Sequence, residues 1–281
     1  MPDVAQGVRV LGPHDVPAAL RCLERDPVVN VFVEYRTRLT QLDPRWLGGE
    51  VWGYFEDDEL VSMCHVGANL VPVNATPAAC AAFAERAARH RPSSATVVGP
   101  RSAVEELWRC LGPSWRQPRE TRWDQPHLVM DGSSQVEPDP AVRRTDPREI
   151  DLLYPACVAM YTEEVGVSPE VDGGRDLYRA RVTQLVHRGW SFARVEDDRV
   201  VFKAEVACAT SHAAQVQGVY VVPDRRGEGL AVRGMAAVVD WVLREVAPAV
   251  SLYVNGHNTA ARRAYEAVGF RQTDTFSTLM F

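Results

Sequence analysis

One stretch limits what this chain can fold into more than any other: VYVVPDRRGEGLAVRG, running from Val219 to Gly234. The residues leading into it, Ala214 to Val222, alternate and are rich in valine, which predicts a strand. Pro223 to Gly229 is a polar loop with two glycines. From Ala231 the apolar residues Met235, Val238, Val239, Val242 and Val246 fall at helical spacing, and Pro248 ends the segment. The first N–H groups of a helix have no intrahelical partner, and the helix dipole puts partial positive charge on them, so this arrangement suits a pyrophosphate. Gly227 and Gly229 let the backbone come close to a ligand, and Ala231 is small enough to do the same. The same letters also suit a tight strand-to-helix turn that needs positive φ. Two other nucleotide loops fail on the letters. There is no G-x-x-x-x-G-K-[ST], and the dinucleotide fingerprint needs a third glycine where Val232 stands.

Around this stretch the chain reads as an α/β protein with a mixed sheet. A strand is expected at Val250–Val254, then a helix with Ala261, Tyr265 and Val268 on one face, then a closing strand at Thr275–Phe281. Asp131 to Pro140, DGSSQVEPDP, is polar and holds two prolines, and reads as a linker. It divides the chain into 1–130, a linker 131–140, and 141–281. The two halves echo each other. Val51–Phe55 and Leu60–Val66 flank the acidic turn Glu56–Glu59, much as Trp190–Val195 and Val200–Cys208 flank Glu196–Arg199, so each half should carry a hairpin. Each half ends in a β-rich run followed by a helix that stops at a glycine, Gly112 in one and Gly269 in the other. The pattern is that of a tandem duplication.

At this point the residues resemble a family. Val221-x-Pro223-x-x-Arg226-Gly227-x-Gly229-Leu230-Ala231 is similar to the coenzyme A loop of the GNAT acetyltransferases. Asn258-x-x-Ala261-x-x-x-Tyr265-x-x-x-Gly269-Phe270 is similar to that family's second motif. The resemblance covers about 141–281. It implies a GNAT-like acyl-CoA N-acyltransferase domain there, preceded by a degenerate GNAT-like domain. It further implies acetyl-CoA, or another acyl-CoA, as cosubstrate and an amine as acceptor. Coenzyme contacts would come from Val219, Tyr220 and Val221, from the loop residues Arg225, Arg226, Gly227, Glu228, Gly229, Leu230 and Ala231, and from Asn258, Ala261 and Tyr265. One departure is Asp224, an acidic residue where the family often has Gln or Arg.

Acyl transfer from a thioester to an amine needs a neutral amine, a stabilised carbonyl oxygen and an acid for the leaving thiolate. The resemblance implies that a backbone N–H near Val219–Val221 meets the carbonyl oxygen, and that Tyr265 is the acid. On periodicity alone, Tyr265 is a core tyrosine and Asn258 an N-cap. For the base, Glu205 in the strand FKAEV either faces the cleft or sits on the solvent face beside Lys203. Gln215 and Gln217 hold strand positions where some relatives keep a glutamate. Without Glu205, a water relay serves or the amine arrives neutral. Glu163 and Glu164 either attract a cationic acceptor or form a solvated helix end.

The first half has PVNATPAACAAF, 72–83, where the second has its glycine loop, and no glycine pair is present. Trp108 stands at the position of Tyr265, and Arg101 at that of Asn258. This half is therefore expected to lack the coenzyme site. The net charge of −6 argues against nucleic acid as the partner. No C-x-x-C pair or histidine cluster suggests a metal, and the six cysteines read as reduced, mostly buried thiols. The start of the chain lacks the pattern of a secretory signal. No apolar run approaches the roughly 20 residues of a membrane span. A soluble, cytoplasmic monomer or homodimer is expected. Two other readings use the same residues: a non-catalytic acyl-CoA or metabolite sensor, and a relative that uses aminoacyl-tRNA.

Overall fold

The computed structural model describes residues 7–90 and 92–281. In chain order the elements are β1 (Gly7–Val10), α1 (Val16–Leu23), α2 (Val31–Thr40), α3 (Pro44–Leu47), β2 (Glu50–Glu56), β3 (Glu59–Val66), β4 (Asn69–Val73), α4 (Pro77–His90), β5 (Thr96–Pro100), α5 (Arg101–Leu111) and β6 (Glu120–Met130). They continue with β7 (Arg143–Arg144), α6 (Ile150–Val165), α7 (Arg175–His187), β8 (Ser191–Glu196), β9 (Arg199–Ala209), β10 (Ala214–Val221), α8 (Leu230–Glu245), β11 (Val250–Tyr253), α9 (Thr259–Val268) and β12 (Arg271–Met280). The chain forms two compact units, Met1–His127 with Gln272–Phe281, and Leu128–Arg271.

The second unit orders its strands β7-β8-β9-β10-β11. The first three pairings are antiparallel, and β10–β11 is parallel. Alternation along β9 sends its residues to two cores. Phe202, Ala204 and Val206 join Met235, Val238, Val239 and Val242 of α8 and Tyr265 and Val268 of α9. Val201 joins Leu153, Tyr154 and Cys157 of α6 with Val182 and Val186 of α7. Both sheet faces are thus covered by helices. Gly234 lets α8 sit close to the sheet, because a Cβ there would lie 2.7 Å from the Phe202 ring. Residues 131–140 are irregular, yet they are tied down. The Gln135 amide donates to the Val268 carbonyl at 3.1 Å, and buried Asp139 pairs with Arg194 at 2.5 Å.

The first unit repeats the arrangement. β1-β2-β3-β4-β5 has the same antiparallel pairings and a parallel β4–β5. One core lies under α4 and α5 and another under α1 and α2. The hairpins match closely. Both turn through two aspartates in the left-handed region, Asp57 (φ 47°) and Asp58 (φ 64°) in one, Asp197 (φ 47°) and Asp198 (φ 55°) in the other. That is the two-residue turn whose twist suits a hairpin. Both have a register irregularity on the strand before the turn, at Tyr54/Phe55 and Arg194/Val195. The closing strand differs from the simple expectation. β12 pairs with β5, from Phe276↔Pro100 to Met280↔Thr96, and so completes the first unit's sheet.

Candidate active site

In the second unit β10 and β11 pair only at Ala214↔Val250 and Gln215↔Ser251, and their registered pairing ends there. On its other edge β10 pairs with β9, but the register jumps from Gln217↔Glu205 to Tyr220↔Lys203. Gly218 and Val219 on β10 thus face the single residue Ala204 on β9, which is a bulge. Gly218 sits at φ 62°, a conformation that glycine adopts readily. Added there, a Cβ would also come within 3.0 Å of the Lys203 Nζ and 3.1 Å of the Glu205 Oε2.

The loop after β10 carries Gly227 at φ 84° and Gly229 at φ 80°, both in the left-handed region. A Cβ at either would meet nothing within 4 Å. Packing therefore does not demand glycine here; the backbone conformation does, and it leaves open space over the loop. Gly229 caps α8, and no side chain caps its first amides. These features fit the pyrophosphate of a coenzyme. Asp224, the unexpected acid, is held by Arg199 through a double contact at 2.6 and 2.8 Å. Arg225 binds Glu196 at 2.6 Å and Glu228 at 2.7 Å. Arg226 donates to the Val221 carbonyl at 3.1 Å and to Glu163 at 2.7 Å, its guanidinium over the Tyr220 ring. Val219 and Val221 are partly buried against the core, and Tyr220, Leu230 and Tyr265 are buried.

Asn258 caps α9, its Oδ1 accepting from the Ala261 amide at 3.1 Å. It is exposed, so the cap leaves the side-chain amide nitrogen at the surface. Tyr265 packs edge-on to Phe270 with ring centroids 6.0 Å apart. Burial, with the Glu164 charge adding to it, pushes its phenol above the ordinary tyrosine range. At neutral pH it stays protonated, as an acid for a leaving thiolate must.

Glu205 is neither cleft-facing and free nor on a solvent face. It is 5% exposed and pairs at 2.7 Å with Lys203, which is 0% exposed. Its Oε2 lies 3.4 Å from the Gln217 amide, and its Oε1 3.7 Å from the Cys157 sulfur. Burial works to lower the Lys203 ammonium's pKa, but Glu205 and Cys157 outweigh it and hold it above the usual range. Burial pushes the Cys157 thiol up to about 12. The Glu205 carboxylate is thus already engaged by the Lys203 ammonium, and a buried pair of this kind is costly to break.

Glu164 meets a residue that the sequence analysis did not single out. Asn255, just past β11 and 9% exposed, donates to Glu164 at the end of α6 at 3.0 Å. They stand 91 positions apart, and no local pattern announces the pair. Among the described residues the first unit has no such open glycine loop. There α4 begins at Pro77, which has no N–H to offer, and Thr76 caps the Ala79 amide at 3.2 Å. Pro72 of β4 fills the space beside Gly99 of β5, where a Cβ would lie 3.6 Å from it. Arg101 pairs with Glu105 at 2.7 Å, and Trp108 packs on Phe281. Among the described residues no group of three or more His, Cys, Asp or Glu could hold a metal. None of their helices is long and apolar enough to cross a membrane.

The acetyltransferase (GNAT) family model matches residues 185–270, and a domain of unknown function (DUF4081) matches 49–153. No curated protein matches the chain. Among solved structures, a GCN5-related N-acetyltransferase from Sphaerobacter thermophilus superposes with a TM-score of 0.61 at 19% identity, covering 97% of this chain and 95% of that one. A tandem GNAT protein from the clavulanic acid biosynthesis pathway gives 0.58 at 15% identity, covering 97% and 98%. A GNAT-family acetyltransferase from Colwellia psychrerythraea gives 0.56 at 12% identity, covering 98% and 99%. Residues 185–270 are thus similar to the GNAT acetyltransferase family, and the two units share the fold of tandem GNAT proteins.

Proposed function

We propose that the second unit transfers an acetyl group from acetyl-CoA directly to an amine. The observation that carries this is the pairing of two features on one strand. β10 has a bulge and parts from β11, and it then feeds an uncapped, open glycine loop at the start of α8. A merely structural turn would not need the open space above Gly227 and Gly229. Bound there, the coenzyme would supply an activated acyl thioester. The loop amides from Arg226 to Ala231 hold its pyrophosphate, and the bulge amide at Val219 takes the developing charge on the carbonyl oxygen. Tyr265 donates a proton to the departing sulfur. Glu164, oriented by Asn255, attracts the cationic amine and takes its proton; Glu205 stays paired with Lys203. A cationic amine is the acceptor class that the exposed Glu164 carboxylate favours, Glu163 being paired with Arg226.

The test is an acetyl-transfer assay over a panel of primary amines, with release of free thiol as the readout. Tyr265→Phe should lower turnover at least tenfold while the unfolding temperature holds, since general acid catalysis contributes about 10²–10⁴-fold. Undiminished turnover in Tyr265→Phe removes it as the acid. A protein that binds acetyl-CoA but acetylates no amine in the panel would favour a sensor instead.

A further inference from the structure

The proposed transfer leaves the buried ion pair under the bulge without a role, and stability does not explain it. Apolar residues of similar volume usually stabilise a core as well as a buried pair does, or better. What the pair does touch is the bulge. The Lys203 Nζ donates to the Gly218 carbonyl at 2.8 Å and to the Glu205 Oε1 at 2.7 Å. A peptide unit is planar and trans, so its C=O and N–H point in opposite directions. Anchoring the Gly218 carbonyl on the ammonium therefore turns the Val219 N–H away from Lys203. In the strand register neither Gly218 nor Val219 has a partner on β9, and β11 pairs with β10 only as far as Gln215.

We propose that Lys203, clamped by Glu205, is a positioning residue that sets the Gly218–Val219 peptide so that the Val219 N–H meets the acyl carbonyl oxygen of the thioester. This rests on the reading of the second unit as an acetyl-CoA site. It assigns the FKAEV strand a function through backbone geometry, with Gly218 chosen for its positive φ and for the room the ammonium needs. Glu205 holds the ammonium in place and compensates its charge; Cys157 and Gln217 complete the surround.

The test compares the affinities of the full chain for acetyl-CoA and for CoA by calorimetric titration. CoA lacks the acetyl group, carbonyl and methyl together, and of these only the carbonyl meets the Val219 N–H, so the change in the ratio between wild type and variant reports that contact. The wild type should prefer acetyl-CoA by about two- to tenfold, the range of one net hydrogen bond. Lys203→Met should bind CoA as the wild type does and show no preference. Because Lys203→Met strands a buried carboxylate, Lys203→Met/Glu205→Leu is the companion variant; it removes both charges and should fold, again without preference. With an acceptor in hand, kcat should fall at least tenfold and KM for acetyl-CoA change little, since loss of an oxyanion donor costs about 10²–10³-fold. A double variant that keeps the wild-type preference overturns the positioning role. A wild type that binds CoA and acetyl-CoA equally overturns it while leaving the coenzyme site standing. A wild type that binds neither removes the coenzyme site itself.

Discussion

Gly227→Val separates a loop built for a ligand from a loop that is only a turn. A Cβ at Gly227 would meet nothing within 4 Å, so the substitution creates no clash in the free protein. Its cost is confined to the backbone, which stands at φ 84°. A non-glycine residue in the left-handed region costs about 1–2 kcal/mol, and a β-branched one lies at the upper end. For a unit of this size that lowers the unfolding temperature by about 2–8 °C. Coenzyme binding should suffer far more, because the isopropyl group occupies the open space that a pyrophosphate needs. A hundredfold loss of affinity for acetyl-CoA, about 2.7 kcal/mol, is expected. Gly173→Val is the control. Gly173 also has positive φ, 80°, and open space around the missing Cβ, but it lies in the segment between α6 and α7 and not in the glycine loop. Calorimetric titration beside a thermal melt reads both quantities. Similar melting shifts with binding lost only in Gly227→Val fit the argument. Gly227→Val with wild-type affinity refutes it, and the glycine loop is then only a turn.

Three further outcomes follow from the same geometry. Acetyl-CoA should bind with a stoichiometry of one per chain, since α4 starts with Pro77 and a Thr76 cap where α8 offers bare amides; a stoichiometry of two would contradict this. Glu163→Gln releases Arg226 from a 2.7 Å pair that is half exposed on both sides. Exposed pairs contribute about 0–1 kcal/mol, so acetyl-CoA affinity should rise by up to about fivefold at low salt and converge with the wild type at high salt; a fall in affinity would show that Glu163 helps binding. In the first unit, Arg9 hydrogen-bonds the Asp15 carboxylate at 2.7 and 2.8 Å and holds its pKa down at about 2. A depressed carboxylate adds stability that is present above its unfolded pKa near 4 and lost as pH falls toward 2. Asp15→Asn should cost about 1–2 kcal/mol in urea unfolding at pH 7, with the gap closing by pH 2; a gap that does not change with pH would point to packing instead.

The parts of this molecule that show in the sequence are those set by local rules. Gly227 and Gly229 announce a left-handed loop because few other residues tolerate one, Asn258 announces a helix start because its side chain caps it, and the Asp-Asp turns follow from hairpin twist. What escapes local rules was read differently or not at all. Alternation along β9 places Lys203 and Glu205 on one face, but only the cover of α6 and α7 makes that face buried, and the pair becomes a clamp on β10. Asn255 and Glu164 are brought together by the parting of β11 and the length of α6, features that no window of sequence contains. The partner of β12 is equally silent. Its alternation reports that it is a strand with one covered face, and the same pattern would serve in either sheet. The choice of β5 is made by tertiary pairing. The catalytic argument divides along the same line. The coenzyme loop stands on local conformation and could be proposed from letters alone. The proposed oxyanion site, which the resemblance puts near Val219–Val221, and the proposed proton acceptor depend on long-range contacts: the bulge favours the Val219 amide, and the Asn255 hydrogen bond favours Glu164.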